Sequence, residues 1–336
     1  MGYKGLIMAE LDTDMIKKKV PDIDFDVAGY GKNKKLMSSE EIADVIGDYD
    51  VLVSEFETID AHVLEAAKKL KLIVCCRGGV KSVIDLPKAE ELGVRVENNV
   101  GRNANAVVEV IFGYMLDWAR NIEKSNRQVH DGTLIGKDFY LPDEYRDSLW
   151  GFGEDSPYVA LRGRSLSSMT IGIVGYGHIG RAVAERANAF GMDVLVYDPM
   201  CGESNISDNV RKVSLDELME TSDVVTLHCP VTKDNRDMMS YHRFRQMKKD
   251  ALFINAARGG LVDEEALAWA LKNHEIDAAA IDVAKQEPLP PDSVLLSAPN
   301  LTITPHIAGA SDEVIRKGTE MVIHKLTKFV GSDPAV

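Results

Sequence analysis

A glycine-rich turn between an apolar strand and a helix-length segment restricts the fold more than any other feature of this sequence. Gly175-Tyr176-Gly177-His178-Ile179-Gly180 follows the apolar run Thr170–Val174 and opens a segment with apolar residues at helical spacing. In such a turn the first glycine allows the sharp bend, the second lets the backbone approach a pyrophosphate, and the third lets the helix pack against the strand. The free amide groups of the helix's first turn then face the phosphates. The pattern predicts a strand–turn–helix unit that binds a dinucleotide.

The context of the turn strengthens this prediction, because the glycine pattern by itself is weak evidence. Asp198 follows the predicted strand Val194–Tyr197 and lies 23 positions after Gly175. An acidic side chain at that place accepts hydrogen bonds from the ribose hydroxyls and repels a 2′-phosphate. We therefore predict that the cofactor is NAD rather than NADP.

Short apolar runs alternate with helix-length segments along the whole chain, which predicts an α/β fold with parallel sheets. A first series of predicted strands is Leu6–Ala9, Val51–Ser54, Leu72–Cys75 and Val94–Val96. A second series is Thr170–Val174, Val194–Tyr197, Val224–Leu227, Leu252–Asn255, Ala279–Val283 and Leu301–Thr304. The expected fold is two doubly wound parallel-sheet domains, Rossmann-like or flavodoxin-like. Ser214 and Glu217 have the spacing of a capping box, and Asp263 has the position of a helix N-cap.

Charge and cysteine usage exclude several classes of function. The net charge is −14, so we expect a nucleic acid to be repelled and an anionic substrate to be held by a few local cations. The sequence has no apolar run long enough to span a membrane, and its apolar start is too short for a signal peptide. The cysteines Cys75, Cys76, Cys201 and Cys229 form no C-x-x-C pair. We expect a reduced cytoplasmic protein without a metal site.

Three titratable side chains follow predicted strands of the second series. They are Arg258 in an Ala-Arg-Gly-Gly segment, Glu287 after Asp282-Val283, and His306 in Pro-His-Ile-Ala-Gly. Open α/β sheets bind ligands at the carboxyl ends of their strands. Taken singly, each residue is better explained by a structural role: Arg258 as a surface cation, Glu287 as a solvated acid and His306 as the start of a helix. Spacing in the sequence does not show that they converge.

The combination of these segments resembles the D-isomer-specific 2-hydroxyacid dehydrogenase family, and within it the phosphoglycerate dehydrogenases. The glycine turn, His228-Cys229-Pro230 and the three segments above occur in the order and spacing of that family. The resemblance implies that His306 exchanges a proton with the substrate oxygen, that Glu287 orients His306, and that Arg258 binds the carboxylate and keto oxygen.

The resemblance also implies which residues contact substrate and cofactor. Arg77, Gly78 and Gly79 would contact the substrate, and backbone amides around Gly78 and Gly79 would hold its carboxylate. The cofactor contacts would be Gly175, Gly177, His178, Ile179, Gly180 and Asp198 around the adenosine half, and Cys229, Ala256, Ala257, Arg258, Asp282 and His306 around the nicotinamide half.

The family further implies a discontinuous domain and a homodimer. Residues 1–103 with 305–336 would form the substrate-binding domain, and residues 104–304 would form the inserted NAD-binding domain. Two-fold dimers through the NAD-binding domains are usual for such proteins.

Two segments depart from the family pattern. The loop from Arg77 to Asp85 is about one residue short and lacks a second spaced glycine, so substrate identity is left open. Arg77 and Lys81 can reach a substrate phosphate there, or can simply be solvated. The segment Gly132–Arg164 is roughly twenty residues longer than the family implies, and we interpret it as a dimer arm or, alternatively, a lid over the active site.

Other functions remain as alternatives. Reduction of glyoxylate or hydroxypyruvate uses the same chemistry. An NAD-sensing binding protein of the kind related to this family keeps the same residues, and turnover of any 2-keto acid distinguishes it. Formate dehydrogenase is disfavoured because that enzyme has glutamine where this chain has Glu287. A methyltransferase leaves Arg258, Glu287 and His306 unexplained.

Overall fold

The computed structural model describes residues 2–134 and 156–332. The chain divides into two compact units, residues 1–106 with 310–336 and residues 107–309. The predicted domain boundaries, after residues 103 and 304, fall three and five residues earlier, so that His306 belongs to the second unit. Most of the predicted arm or lid, residues 135–155, lies outside the described residues.

The first unit contains a five-stranded parallel sheet with the order β2-β1-β3-β4-β5. Its strands are β1 Tyr3–Ile7, β2 Ile23–Val27, β3 Val51–Ser54, β4 Leu72–Cys75 and β5 Arg95–Asn98. Its helices are α1 Thr13–Lys19, α2 Gly29–Asn33, α3 Ser39–Ile46, α4 Ala61–Ala66 and α5 Leu86–Glu91, together with the last helix of the chain, α13 Asp312–Ser332. This strand order is that of flavodoxin-like sheets.

Strand β2 was missing from the sequence-based prediction. Its sequence, Ile-Asp-Phe-Asp-Val, alternates buried and exposed residues, as expected for an edge strand with one solvated face. The prediction relied on continuous apolar runs, which are typical of strands buried on both faces. An alternating strand with two aspartates does not produce that signal.

The second unit contains a seven-stranded parallel sheet with the order β12-β11-β10-β9-β6-β7-β8. Its strands are β6 Thr170–Val174, β7 Asp193–Tyr197, β8 Arg211–Lys212, β9 Val224–Leu227, β10 Leu252–Asn255, β11 Ala278–Ile281 and β12 Leu301–Ile303. The remaining helices are α6 Ala104–Arg120, which starts just before the unit boundary, α7 Ile122–His130, α8 Pro157–Ala160, α9 His178–Ala189, α10 Leu215–Thr221, α11 Tyr241–Gln246 and α12 Glu264–Lys272.

Local capping agrees with the sequence at two helices. The Asp263 carboxylate accepts hydrogen bonds from the amides of Glu265 and Ala266 at the start of α12. The Ser214 hydroxyl accepts from the Glu217 amide at the start of α10, at 3.1 Å. The Glu217 carboxylate pairs with Arg211 instead of completing a capping box. Both helices therefore begin where the caps predict.

Strand β6 lies between β7 and β9, so chain connections leave it in opposite directions on its two sides. This arrangement opens a crevice at the carboxyl ends of these strands, where open α/β sheets bind ligands. Both the glycine turn after β6 and the titratable residues after β10 and β11 belong to this edge. None of the helices in the described part of the chain is long and apolar enough to cross a membrane.

Candidate active site

The glycine turn has the geometry that dinucleotide binding requires. Gly175 has a φ of +99°, and a Cβ there would lie 2.7 Å from the carbonyl oxygen of His228. A Cβ at Gly180 would collide with the carbonyl of Gly175. By contrast, a Cβ at Gly177 would meet nothing within 4 Å among the described atoms, so the backbone is open on that side. Two glycines therefore serve packing, and the middle one leaves room for a ligand.

Asp198 and the start of α9 complete a cradle for an adenosine diphosphate group. The two Asp198 carboxylate oxygens accept the amides of Tyr176 and Met200, each at 2.8 Å, which fixes the acid beside the glycine turn. His178 begins α9 and is exposed, whereas Ile179 is half-buried. The N-cap residue is Gly177, which has no side chain that could accept hydrogen bonds from the first amides of the helix. The first amides of α9 are thus available for an anion, and these residues fit NAD.

The loop after β10 holds Arg258 at the edge of the sheet. The buried side chain of Asn255 accepts from the Ala257 amide at 3.1 Å and donates to the Arg258 carbonyl at 2.9 Å. The exposed Arg258 guanidinium donates to the Ala257 carbonyl at 2.6 Å. Sequence reasoning gave Asn255 no role, although its place at the end of a buried strand marked it as a residue in need of partners.

A close approach of two loops brings Arg258 and Glu287 together. A Cβ on Gly259 would collide with the backbone of Ala284 and Lys285, so only glycine allows this packing. The Glu287 carboxylate accepts the Ala284 amide at 3.0 Å within the second loop. The glycine after Arg258 is therefore the local reason that the two segments meet.

Glu287 and His306 form a hydrogen-bonded pair. The distance between His306 Nδ1 and Glu287 Oε2 is 2.7 Å. Burial alone would raise the pKa of Glu287, but the hydrogen bonds from His306 and the Ala284 amide, together with the charge of Arg258, outweigh it and hold this pKa below its usual value of 4.5. Glu287 is therefore ionised at neutral pH and fixes the orientation of the imidazole.

Arg258, Glu287 and His306 line one cleft of the second unit. Arg236 and Lys285 line the same cleft and were missed as site residues by the sequence analysis. Lys285 Nζ pairs with Asp237 at 2.6 Å. No described carboxylate forms an ion pair with Arg236. An isolated arginine in a loop has no sequence signal that distinguishes it from a solvated cation.

Asp282, Cys229, Ala256 and Ala257 also lie at the carboxyl ends of the central strands. The Asp282 carboxylate is buried and accepts the amides of Ile307 and Ala308, each at 2.8 Å. Burial raises the pKa of the Cys229 thiol, so this side chain is neutral. Ala256 and Ala257 are half-buried in the loop after β10.

The predicted substrate loop belongs to the first unit, after β4. The Arg77 guanidinium lies over the Phe56 ring, 5.4 Å from its centre. The Gly78 carbonyl accepts from the Asn98 amide group at 2.7 Å, and the Gly79 carbonyl accepts from the Ser82 hydroxyl at 3.3 Å. Both glycines are exposed. No group of three metal-binding side chains is found among the described residues.

Comparison with known proteins identifies the family. The family description "D-isomer specific 2-hydroxyacid dehydrogenase, NAD binding domain" matches residues 112–308. The chain belongs to the D-isomer-specific 2-hydroxyacid dehydrogenase family. A hydroxypyruvate reductase of Thermotoga maritima is 34% identical over 299 residues, which are 88% of this chain and 89% of that protein. A D-3-phosphoglycerate dehydrogenase of Archaeoglobus fulgidus is 36% identical over 279 residues, which are 82% of this chain but 49% of that protein.

Solved structures agree with this assignment. The TT0316 protein of Thermus thermophilus has a TM-score of 0.78 and 30% identity, covering 98% of both chains. The D-lactate dehydrogenase of Lactobacillus jensenii, solved with NAD+, has a TM-score of 0.77 and 25% identity, covering 99% of this chain and 98% of that one. The dehydrogenase described here is thus an NAD-dependent enzyme that interconverts a 2-hydroxy acid and its 2-keto acid, as the sequence predicted.

Proposed function

We propose that Arg258, Glu287 and His306 perform the reaction of this dehydrogenase. During reduction, the protonated imidazole of His306 gives a proton to the keto oxygen while a hydride reaches the adjacent carbon. During oxidation, the neutral imidazole removes the proton from the hydroxyl group. Arg258 binds the carboxylate and the keto oxygen and stabilises the negative charge that develops there. NAD supplies or accepts the hydride when it is bound.

The hydrogen bond between His306 and Glu287 is the observation that carries this proposal. Because Glu287 is ionised, it accepts a hydrogen bond from His306 Nδ1 and stabilises the imidazolium. The other ring nitrogen, Nε2, is then the one that exchanges a proton with the substrate. Arg258 lines the same cleft, so a carboxylate bound by its guanidinium lies near His306.

The proposed cofactor contacts follow from the cradle at the carboxyl end of β6. The pyrophosphate would be held by the glycine turn and the first turn of α9, with Gly175, Gly177, His178, Ile179 and Gly180. Asp198 would bind the ribose hydroxyls. The nicotinamide would be surrounded by residues at the carboxyl ends of the central strands, namely Cys229, Ala256, Ala257, Arg258, Asp282 and His306.

We propose a short 2-keto acid of the hydroxypyruvate or glyoxylate type as the substrate. The relative from Thermotoga maritima, which this chain matches over 89% of that protein's length, is named for the reduction of such an acid. A phosphorylated three-carbon acid is the second candidate, because Arg77 and the exposed Lys81 provide cations in the predicted substrate loop.

The experiment is NADH oxidation, followed by absorbance, across a panel of 2-keto acids. Hydroxypyruvate, glyoxylate, pyruvate and 3-phosphohydroxypyruvate are compared by kcat/KM, each with NADH and with NADPH. The expected result is a highest kcat/KM for hydroxypyruvate or glyoxylate and a preference for NADH. A clear preference for 3-phosphohydroxypyruvate would establish the second candidate. Absence of turnover with every acid, despite NADH binding, would favour the NAD-sensing alternative.

We also propose that the first unit binds substrate, that the enzyme is a homodimer and that it is cytoplasmic. The family resemblance supports the first two proposals. The third rests on the free state of Cys75, Cys76, Cys201 and Cys229. Sedimentation and subcellular fractionation test the assembly and the location.

A further inference from the structure

The loop that carries His306 has an unusual backbone. His306 has a φ of +57°, in the left-handed region that residues other than glycine rarely adopt. Such a conformation persists when surrounding contacts determine it. Those contacts come largely from Asp282, because its backbone carbonyl accepts the His306 amide at 2.8 Å and its carboxylate accepts the next two amides.

The Asp282 carboxylate is itself held by a chain of two hydroxyl groups. The distance between Thr304 Oγ1 and Asp282 Oδ1 is 2.5 Å, and the distance between Tyr114 Oη and Thr304 Oγ1 is also 2.5 Å. Thr304 donates the hydrogen of its hydroxyl group to Asp282 Oδ1, so this hydrogen is not available to Tyr114. Tyr114 must then donate its own hydrogen to Thr304. The hydroxyl hydrogens therefore point in one direction, from Tyr114 through Thr304 to Asp282.

The surroundings of these two hydroxyl groups favour this direction of the hydrogen bonds. Burial raises the pKa of Tyr114, so the phenol keeps its proton at every working pH. The Ala308 side chain, at the far end of the loop, is buried in the same hydrophobic cluster against which Tyr114 packs. Tyr114 thus supports the loop both through the hydroxyl chain and through the apolar core.

We propose that Thr304 and Tyr114 are positioning residues, which act through Asp282 to hold the His306 loop in the conformation that meets Glu287. This inference rests on the proposed function of His306. It assigns a role to two side chains outside the cleft, and it predicts that their hydroxyl groups affect proton exchange more than cofactor binding.

The test removes each hydroxyl with little change in shape. Thr304→Val and Tyr114→Phe are each expected to lower kcat about tenfold, since displacement of a reacting group by a fraction of an ångström has effects of this order. The dissociation constant of NADH, measured by fluorescence, is expected to change less than about twofold, because the glycine turn and Asp198, which would hold the pyrophosphate and ribose, are left intact. Thr304→Ser restores the hydroxyl and is expected to recover most of the rate.

Matched controls come from the same elements of the fold. Thr302→Val lies two residues earlier on β12 with an exposed side chain, and Tyr241→Phe removes an exposed hydroxyl on α11. Both controls are expected to keep the wild-type kcat. Circular dichroism and thermal melting establish which variants are folded, and Tyr114→Phe keeps the test available if Thr304→Val does not fold.

The decisive comparison uses His306→Ala as a background. If Thr304 acts through His306, Thr304→Val lowers the residual rate of His306→Ala less than about twofold, since coupled residues are not additive. A tenfold loss in both backgrounds, or an equal loss of NADH affinity, would overturn the positioning role. A wild-type rate for His306→Ala would instead overturn the proposed function, so the two failures are distinguishable.

Discussion

The predicted substrate loop after β4 and the loops at the carboxyl edge of the seven-stranded sheet differ in how firmly they are held. At the edge of the seven-stranded sheet, Glu287 and Asp282 each accept hydrogen bonds from backbone amides, and Gly259 packs against a neighbouring loop. At the edge of the five-stranded sheet, Gly78 and Gly79 are exposed, and Arg77 is supported by an aromatic ring. At the first edge, loops bonded to the backbone hold the site residues, with Asp282 buried and Glu287 exposed, whereas the loop from Arg77 to Gly79 is open.

On the proposed function, this difference would separate the chemistry from the choice of substrate. Proton exchange requires fixed geometry, because small displacements have large effects on rate. Recognition of a substrate side group tolerates an adaptable loop and can vary with little effect on the fold. We therefore expect substitutions at the seven-stranded edge to affect all substrates, and those at the five-stranded edge to affect some substrates more than others.

The largest effect is expected from Arg258→Gln. Loss of the guanidinium removes both the carboxylate anchor and the stabilisation of the developing negative charge, which lowers kcat/KM for every keto acid by about 100- to 1000-fold. Arg245→Gln is the matched control, because Arg245 lies on α11 over the Trp269 ring, 4.7 Å from its centre. A loss restricted to one keto acid would contradict the proposed division between the edges.

A smaller loss is expected from Glu287→Gln, which keeps the shape but cannot stabilise an imidazolium. We expect kcat to fall about 10- to 100-fold, as for other partners of an acid–base residue. Because the folded-state pKa of Glu287 lies below 4.5, the carboxylate's contribution is present above pH 4.5 and is lost as the pH falls through that lower value. The pH profile of the wild-type kcat should therefore show no decline caused by protonation of Glu287 above about pH 5.

Glu265→Gln, on the exposed first turn of α12, is the control for charge alone. If both variants lost the same fraction of kcat, the bond to His306 would not be the reason for the effect.

The sequence predicted most buried strands of both sheets but not the convergence of the site. Five strands have the predicted bounds: Val51–Ser54, Leu72–Cys75, Thr170–Val174, Val224–Leu227 and Leu252–Asn255. Each is a continuous apolar run, which is a local signal. The alternating β2 and the two-residue β8 were missed because neither contains such a run.

The meeting of Arg258 and Glu287 depends on a contact between Gly259 and Ala284, which lie 25 residues apart along the chain. Likewise, the partners of Asp282 lie on other elements, at Thr304, Ile307 and Ala308. Contacts of this kind are set by the tertiary fold, so spacing alone cannot predict them. The family resemblance implied roles for Arg258, Glu287, His306 and Asp282, which residue patterns alone did not.

A substrate-dependent effect is expected from Arg77→Met at the open edge. We expect kcat/KM to fall by about tenfold or less, and more for 3-phosphohydroxypyruvate than for glyoxylate, because a cation that is partly in contact with solvent contributes modestly to binding. Lys69→Met is the control, since Lys69 pairs with Asp48 on the surface of the same unit. Equal losses with both substrates would indicate that Arg77 binds their shared carboxylate.

The smallest effect concerns stability at the seven-stranded edge. Burial lowers the pKa of His228 from 6.5 to about 3, and its Nδ1 has no hydrogen-bond partner among the described residues. The unfolded chain therefore binds a proton as the pH falls below 6.5 while the folded chain does not, so stability present above pH 6.5 declines below it. Urea unfolding at pH 7.5 and at pH 5.5 measures how much free energy of unfolding each protein loses between the two pH values. We expect the wild type to lose about 1 kcal/mol more than His228→Gln. Identical losses would contradict the neutral buried imidazole.

The most direct test of the central claim, that the His306–Glu287 pair exchanges the proton, is the turnover of His306→Ala with NADH and the preferred keto acid. We predict a loss in kcat of about 100-fold or more, with the dissociation constant of NADH unchanged within about twofold. His242→Ala, an exposed histidine on α11, should keep the wild-type kcat. Wild-type turnover of folded His306→Ala would show that another group supplies the proton.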